Sequence, residues 1–365
     1  MARRSQRNLR PWTGAMGALA ALGVCLGLAG CGANTSPAPT PPPPPTPLGH
    51  AYITTPSNLF AYAITASDGT LSSIATPSGA PGGTAVTSNG SKNVVYTVTS
   101  GGQISGYSLN RSDGSLAAIS GSPWGGAGVG VAFLTVDGAG QDLYVPAEQD
   151  LTVVPFSIGS SGALTIGLQV STPAAPLTAT VDPPGHFLYV PMGAEGTELF
   201  QITGGALVDG GTIPPQGQGG ALFIAITPAD TFAYISDGMS GVAGYSVNTT
   251  TGALTALAGS PFPAGQGTAS LAITPSGKFL YVANAAGLAQ FAINADGSLT
   301  SIGTPLTLAS PPTFMNIEFT GQYLYVLTVN SMLVSIYHID SSSGLLTSEP
   351  AASVPFVPNG ITTTP

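Results

Sequence analysis

Beyond residue 31 the chain has no cysteine. Its two cysteines, Cys25 and Cys31, lie close to the N-terminus, so no disulfide braces the rest and packing alone must stabilise it. Basic residues are almost as scarce. Of seven Lys and Arg, four (Arg3, Arg4, Arg7 and Arg10) precede residue 11, leaving only Lys92, Arg111 and Lys278. All sixteen acidic residues lie further on, so the remainder carries 3 − 16 = −13 charges. Such a body has no basic patch for a phosphate backbone, which excludes nucleic acid as a partner. It favours solubility and a cationic or neutral partner. Helical periodicity is missing too, and 50 glycines with 33 prolines oppose long helices. There is no Gly-x-Ser-x-Gly elbow, no Cys-x-x-Cys and no His-x-x-x-His.

What the chain does have is a repeat. An aromatic-x-aliphatic pair recurs seven times, as Tyr62/Ile64, Tyr107/Leu109, Phe156/Ile158, Phe200/Ile202, Tyr245/Val247, Phe291/Ile293 and Tyr337/Ile339. Each is followed by Gly-x-Leu, at Gly69, Gly114, Gly162, Gly205, Gly252, Gly297 and Gly344. Each is preceded by a tyrosine leading a short β-prone run, at Tyr52, Tyr96, Tyr144, Tyr189, Tyr234, Tyr281 and Tyr325. Successive tyrosines are 44, 48, 45, 45, 47 and 44 residues apart. Short strands and glycine turns at that period predict four-stranded sheets arranged radially. Seven units predict an all-β, seven-bladed propeller of four-stranded antiparallel blades.

Repeat six shows the grammar most clearly. Ala269–Thr274, Phe279–Ala283, Leu288–Ile293 and Leu299–Ile302 read as four strands, with Asp296-Gly297 as a tight hairpin turn. The first repeat begins at Pro47-Leu48-Gly49-His50-Ala51-Tyr52 and lacks its first strand. The chain ends in Gly360-Ile361-Thr362-Thr363-Thr364-Pro365, which matches Leu271-Ala272-Ile273-Thr274-Pro275. The C-terminal strand is therefore expected to complete blade one and remove two open sheet edges.

Residues 1–30 read as a signal peptide, with an arginine-rich start and an apolar run from Gly14 to Gly30. Leu28-Ala29-Gly30-Cys31 resembles a bacterial lipobox, which implies lipid attachment at Cys31. Residues 31–47 then form a proline-rich tether, and 48–365 the propeller. Fourteen residues of polyproline II reach about 40 Å, enough to hold the body clear of a bilayer. The expected location is extracytoplasmic, at the cell envelope, with the membrane touched only through the anchor.

The unit Pro-x-Gly-x-x-Leu-Tyr-Val, then Tyr/Phe-x-Ile, then Gly-x-Leu-Thr resembles the β-propeller lactonase family. That family includes 6-phosphogluconolactonase-like and carboxymuconate-cyclase-like proteins, with the YVTN repeat proteins as close relatives. Gly121-Ser122-Pro123-Trp124 and Gly259-Ser260-Pro261-Phe262 resemble its turn into the next blade. The resemblance covers essentially all of 47–365. It implies a substrate held near the central channel by charged residues, Arg and His among them. This chain departs from that, because Arg111 is placed on the outer part of a blade.

By the same analogy the first strand of each repeat lines the channel. Its last residue is acidic in three blades: Asp137, Asp182 and Glu318. These are the candidates for a general base, a cation site or a polyol site; alternatively each caps its own turn. His50, His186 and His338 occupy different repeat positions, His50 and His186 in or near the turn before the tyrosine strand, so no metal triad is expected. No cofactor is expected either. A quinone-type redox propeller stands as a third reading. The leading expectation is a monomeric binding or scaffold module for a protein, peptide or neutral glycan. The alternative is a lactonase acting on a neutral or weakly charged lactone.

Overall fold

A computed structural model describes residues 47–365 apart from Ser78, Gly90 and Ser240. The signal segment, Cys31 and nearly all of the tether lie outside the described residues. Seven antiparallel sheets follow one another along the chain, and each is a blade. The innermost strands of blades 2 to 7 are Ala85–Asn89, Thr135–Val136, Thr180–Val181, Ala221–Ile226, Ser270–Ile273 and Pro312–Ile317. Blade 1 takes its innermost strand from the C-terminus. Gly360–Thr364 pairs antiparallel with Gly49–Thr54, with Tyr52 opposite Thr362. The predicted closure is therefore present. Blades 3 and 6 each gain a short fifth strand, Val170–Ser171 and Leu306–Thr307, that pairs with the third strand of the same blade.

The tyrosines stand inside the second strands rather than at their starts; Tyr96, for example, is central in Val94–Val98. All seven are fully buried. Their hydroxyls tie each blade to the next. Tyr52 donates to the Gly114 carbonyl at 2.9 Å, Tyr96 to Gly162 at 2.7 Å and Tyr189 to Gly252 at 2.7 Å. Tyr234 donates to Gly297 at 2.7 Å, Tyr281 to Gly344 at 2.7 Å and Tyr325 to Gly69 at 2.8 Å, the last across the seam between blades 7 and 1. Burial pushes these phenols up, so they remain donors.

Each acceptor is the glycine of a Gly-x-Leu motif. Glycine is required there twice over. Gly344, for instance, has φ +73°, and a Cβ on it would come within 2.3 Å of the Phe279 ring in the preceding blade. Phe279 stands two residues before Tyr281, and Phe187, Phe232 and Tyr323 hold the same place in their blades. His50 occupies it in blade 1. His50 is thus buried in a strand under Gly114, not in a turn, and burial lowers its pKa. Its two ring nitrogens have no partner.

The seam between blades 3 and 4 breaks the pattern. Its tyrosine, Tyr144, has a buried hydroxyl with no partner, and Asp142 replaces the usual aromatic ring. The hairpin of blade 4 is the reason. Thr203 pairs directly with Ala206, leaving only Gly204-Gly205 between the strands. The Gly205 carbonyl is not a partner of Tyr144. Tyr281→Phe should therefore cost about 1 kcal/mol, the net worth of one buried hydrogen bond. Tyr144→Phe should be neutral or stabilising in the same urea-unfolding experiment. Equal losses in both variants would show that the hydroxyl bonds contribute nothing specific.

Candidate functional site

The innermost strands ring a central channel, and three phenylalanines meet across it. Ring centroids of Phe133 (blade 3) and Phe223 (blade 5) lie 5.7 Å apart, Phe223 and Phe314 (blade 7) 6.2 Å, and Phe133 and Phe314 6.5 Å. These blades are not neighbours, so the rings can touch only over the axis. Each phenylalanine stands four residues before the last residue ahead of the inner turn. At that place blades 1, 2, 4 and 6 carry Gly360, Ala85, Thr178 and Ser270. Small residues between large ones let three rings share one cross-section of the channel.

A pocket of about 420 Å³ opens beside this aromatic plug, where the chain enters the inner strands. Thr84, Ala132, Thr313, Thr328, Asn330 and Asn359 line it, and no ionisable side chain is among its walls. The innermost strands are equally neutral. None of the seven innermost strands contains Asp, Glu, Lys, Arg or His. Their hydroxyls bond from blade to blade instead. Thr180 Oγ1 donates to the Ile224 carbonyl at 3.1 Å, Ser88 and Thr362 share a 2.7 Å bond, and Thr363 Oγ1 donates to Asn316 Oδ1 at 2.9 Å.

The three acidic candidates lie at the other end of the strands. Asp137 Oδ1 accepts the amides of Gln141 (2.7 Å) and Asp142 (3.0 Å). Asp182 Oδ1 accepts those of His186 (2.7 Å) and Phe187 (2.9 Å). Glu318 accepts from Thr320, Gln322 and Tyr323 through both oxygens. Each carboxylate caps the turn of its own blade, the work that Thr227 and Thr274 do with hydroxyls. Among the described residues no three His, Cys, Asp or Glu converge on one point. His186 is exposed in its turn, and His338 lies edge-on to Tyr323 at 5.6 Å. Arg111 donates to Asn93 at the outer rim, as its hairpin position predicts.

On the pocket's side of the ring another carboxylate stands out. Asp237 ends the second strand of blade 5 and is buried. Its Oδ1 accepts amides from Gly219 (2.5 Å) and Met239 (3.3 Å), while Oδ2 has no partner. It borders a small pocket of about 10 Å³ with Thr197, Gln216, Ser236 and Tyr245, enough for one water. The neighbouring Ser236 Oγ accepts the amide of Phe223, so this cavity lies one strand outside the aromatic plug. Sequence reasoning missed Asp237. The repeat phase marks it, because three residues past the tyrosine the other blades carry Thr55, Thr99, Ala147, Met192, Asn284 and Thr328, none of them acidic.

Comparison with known proteins draws these features together. Residues 178–357 match the family model described as Lactonase, 7-bladed beta-propeller. The chain is 26% identical over 261 residues to a 6-phosphogluconolactonase of Pectobacterium carotovorum, covering 55% of this chain and 78% of that one. It is 26% identical over 255 residues to a 6-phosphogluconolactonase of Yersinia pestis, covering 64% and 73%. Its fold is that of a Lactobacillus plantarum protein (TM-score 0.74, 20% identity, 86% of this chain and 99% of the other). It is also that of the periplasmic gluconolactonase of Pseudomonas aeruginosa (TM-score 0.69, 18% identity, 86% and 98%).

The second half of this chain is similar to the β-propeller lactonase family. That similarity favours the lactonase reading of the sequence over the scaffold reading. The inner wall of this propeller is neutral. No arginine or lysine stands on an innermost strand.

Proposed function

We propose that this chain is a lactonase for an uncharged or weakly charged lactone, held at the channel mouth above the Phe133–Phe223–Phe314 plug. The observation that carries the reading is the absence of any charged side chain from the seven innermost strands and from the 420 Å³ pocket. A phosphorylated substrate would enter an acidic body without a cationic clamp. A neutral ring finds Val329, Val357 and Pro358 beside threonine and asparagine side chains.

Asp237 is the proposed general base. Two amides fix one oxygen; the other has no hydrogen-bond partner, packs against Gly217 and borders a space the size of a water. In the hydrolysis, Asp237 takes a proton from water as the water oxygen bonds to the lactone carbonyl carbon. The ring C–O bond then breaks, and the ring oxygen takes the proton back as the hydroxy acid forms. Uncharged donors must stabilise the oxyanion. The turn-capping acids Asp137, Asp182 and Glu318 are the competing bases, at the opposite end of the channel.

A panel of neutral aldonolactones, aliphatic lactones and 6-phosphogluconolactone tests both parts. The expected result is turnover of a neutral lactone, falling at least about a hundredfold in Asp237→Asn and little changed in Asp137→Asn or Glu318→Gln. Turnover confined to the phosphorylated lactone would overturn the substrate class. Loss in the turn-cap variants alone would move the base to the other end, and no turnover of any lactone would return the chain to the binding-module reading.

The location we propose is extracytoplasmic, with the propeller tethered through lipidated Cys31. The arginine-rich start, apolar run and Leu28-Ala29-Gly30-Cys31 support it. The full-length protein should partition into detergent and Cys31→Ser should not. A mature N-terminus other than Cys31 would contradict the anchor.

A further inference from the structure

A second feature lies at the inner turns between blades 4 and 5, and it does not depend on the lactonase reading. The third residue after each turn-capping position is glycine in four blades: Gly140, Gly185, Gly277 and Gly321, with φ of +68°, +81°, +69° and +78°. In blade 5 it is Asp230, at φ +54°. A Cβ on any of the four glycines would face the turn of the preceding blade. It would meet Asn89 and Lys92 from Gly140, Asp137 Oδ2 from Gly185, Pro228 from Gly277 and Pro275 from Gly321. The same frame aims the Asp230 carboxylate at the blade 4 turn, where Asp182 sits.

Both residues are buried, Asp182 at 1% exposure and Asp230 at 4%. Asp182 spends Oδ1 on its own turn and leaves Oδ2 without a partner; both oxygens of Asp230 have none. Three partnerless carboxylate oxygens therefore belong to two blades at one seam, where burial first and the neighbouring Asp182 charge next push the Asp230 carboxyl up. Burying unpaired carboxylates costs several kcal/mol or more. Glycine serves this turn in four other blades, so the turn itself does not call for the aspartate.

We infer that Asp182 and Asp230 bind a hard divalent cation of the Ca²⁺ class, which fastens blade 4 to blade 5 at their inner turns. Two carboxylates balance its charge. Ca²⁺ takes oxygen ligands in variable number, so peptide carbonyls and water can complete its shell. No third His, Cys, Asp or Glu joins the pair among the described residues, which disfavours metals that draw three or four ligands from side chains.

The test uses the full chain, stripped with chelator and titrated with Ca²⁺ by calorimetry, with melting followed in parallel. The expected result is a single bound Ca²⁺ per chain and a melting temperature raised by a few degrees at saturation. Asp230→Gly restores the residue other blades use, so it folds; it should abolish both effects. Asp182→Asn should weaken binding at least about tenfold. No binding to the unsubstituted chain, or binding unchanged in Asp230→Gly, would overturn the proposal.

Discussion

The bond on which the ring depends runs from a buried tyrosine hydroxyl to a glycine carbonyl in the next blade. A propeller blade pairs its strands internally, so hydrogen bonding within a sheet does nothing to hold one sheet to another. Packing between blades is apolar and non-directional. The Tyr–Gly bonds add direction and register at six of seven seams, including the closing seam from Tyr325 to Gly69. They also explain why the hairpin residue is glycine. Its backbone is left-handed, and the side chain two residues before the tyrosine, a ring at five of these six seams and Val94 at the other, presses against it. One small residue therefore serves the hairpin, the aromatic contact and the hydroxyl acceptor together.

With blades fixed from outside in this way, the channel wall is released from any charged role in stability. Hydroxyls and one amide link the inner strands around the axis, and three phenylalanines close it. The charge of the molecule lies in turns and outer strands. Such an interior offers no cation to a phosphate ester, which is the physical basis of the proposed preference for a neutral ring. The seam without a tyrosine bond, between blades 3 and 4, and the seam with an unpaired carboxylate pair, between blades 4 and 5, both flank blade 4. That blade has the shortest hairpin, Gly204-Gly205, and a bulged pairing between Glu198 and Phe200.

Much of the fold was legible because strand grammar is local. Gly297, Asp296 and the Phe279–Ala283 run can be assigned from their neighbours, and the match of Ile361-Thr362 to Leu271-Ala272 disclosed the closure. The inter-blade bond was not legible in the same way. A period aligns Tyr281 with Tyr325, but it does not say that Tyr281 reaches Gly344 in the next unit; radial packing decides that. His50 was misplaced for a related reason. Its neighbours read as a turn, whereas its repeat position is that of Phe279. The candidate site was the least legible part. Phe133, Phe223 and Phe314 are separated by most of a hundred residues each and look like ordinary core. Asp137, Asp182 and Glu318 drew attention as acids, although their turns use them as caps. Asp237 and Asp230 stand out only when the seven repeats are laid in phase and the odd residue is sought.

A lactonase for an uncharged lactone, as proposed, must hold the ring at the channel mouth. A crystal structure of the protein with an uncharged lactam analogue, which keeps the ring but resists hydrolysis, measures this directly. The account predicts the analogue at the channel mouth, over the Phe133–Phe223–Phe314 plug and on the side of Asp237. An analogue seated instead among the inner turns, against Asp137, Asp182 or Glu318, would contradict it.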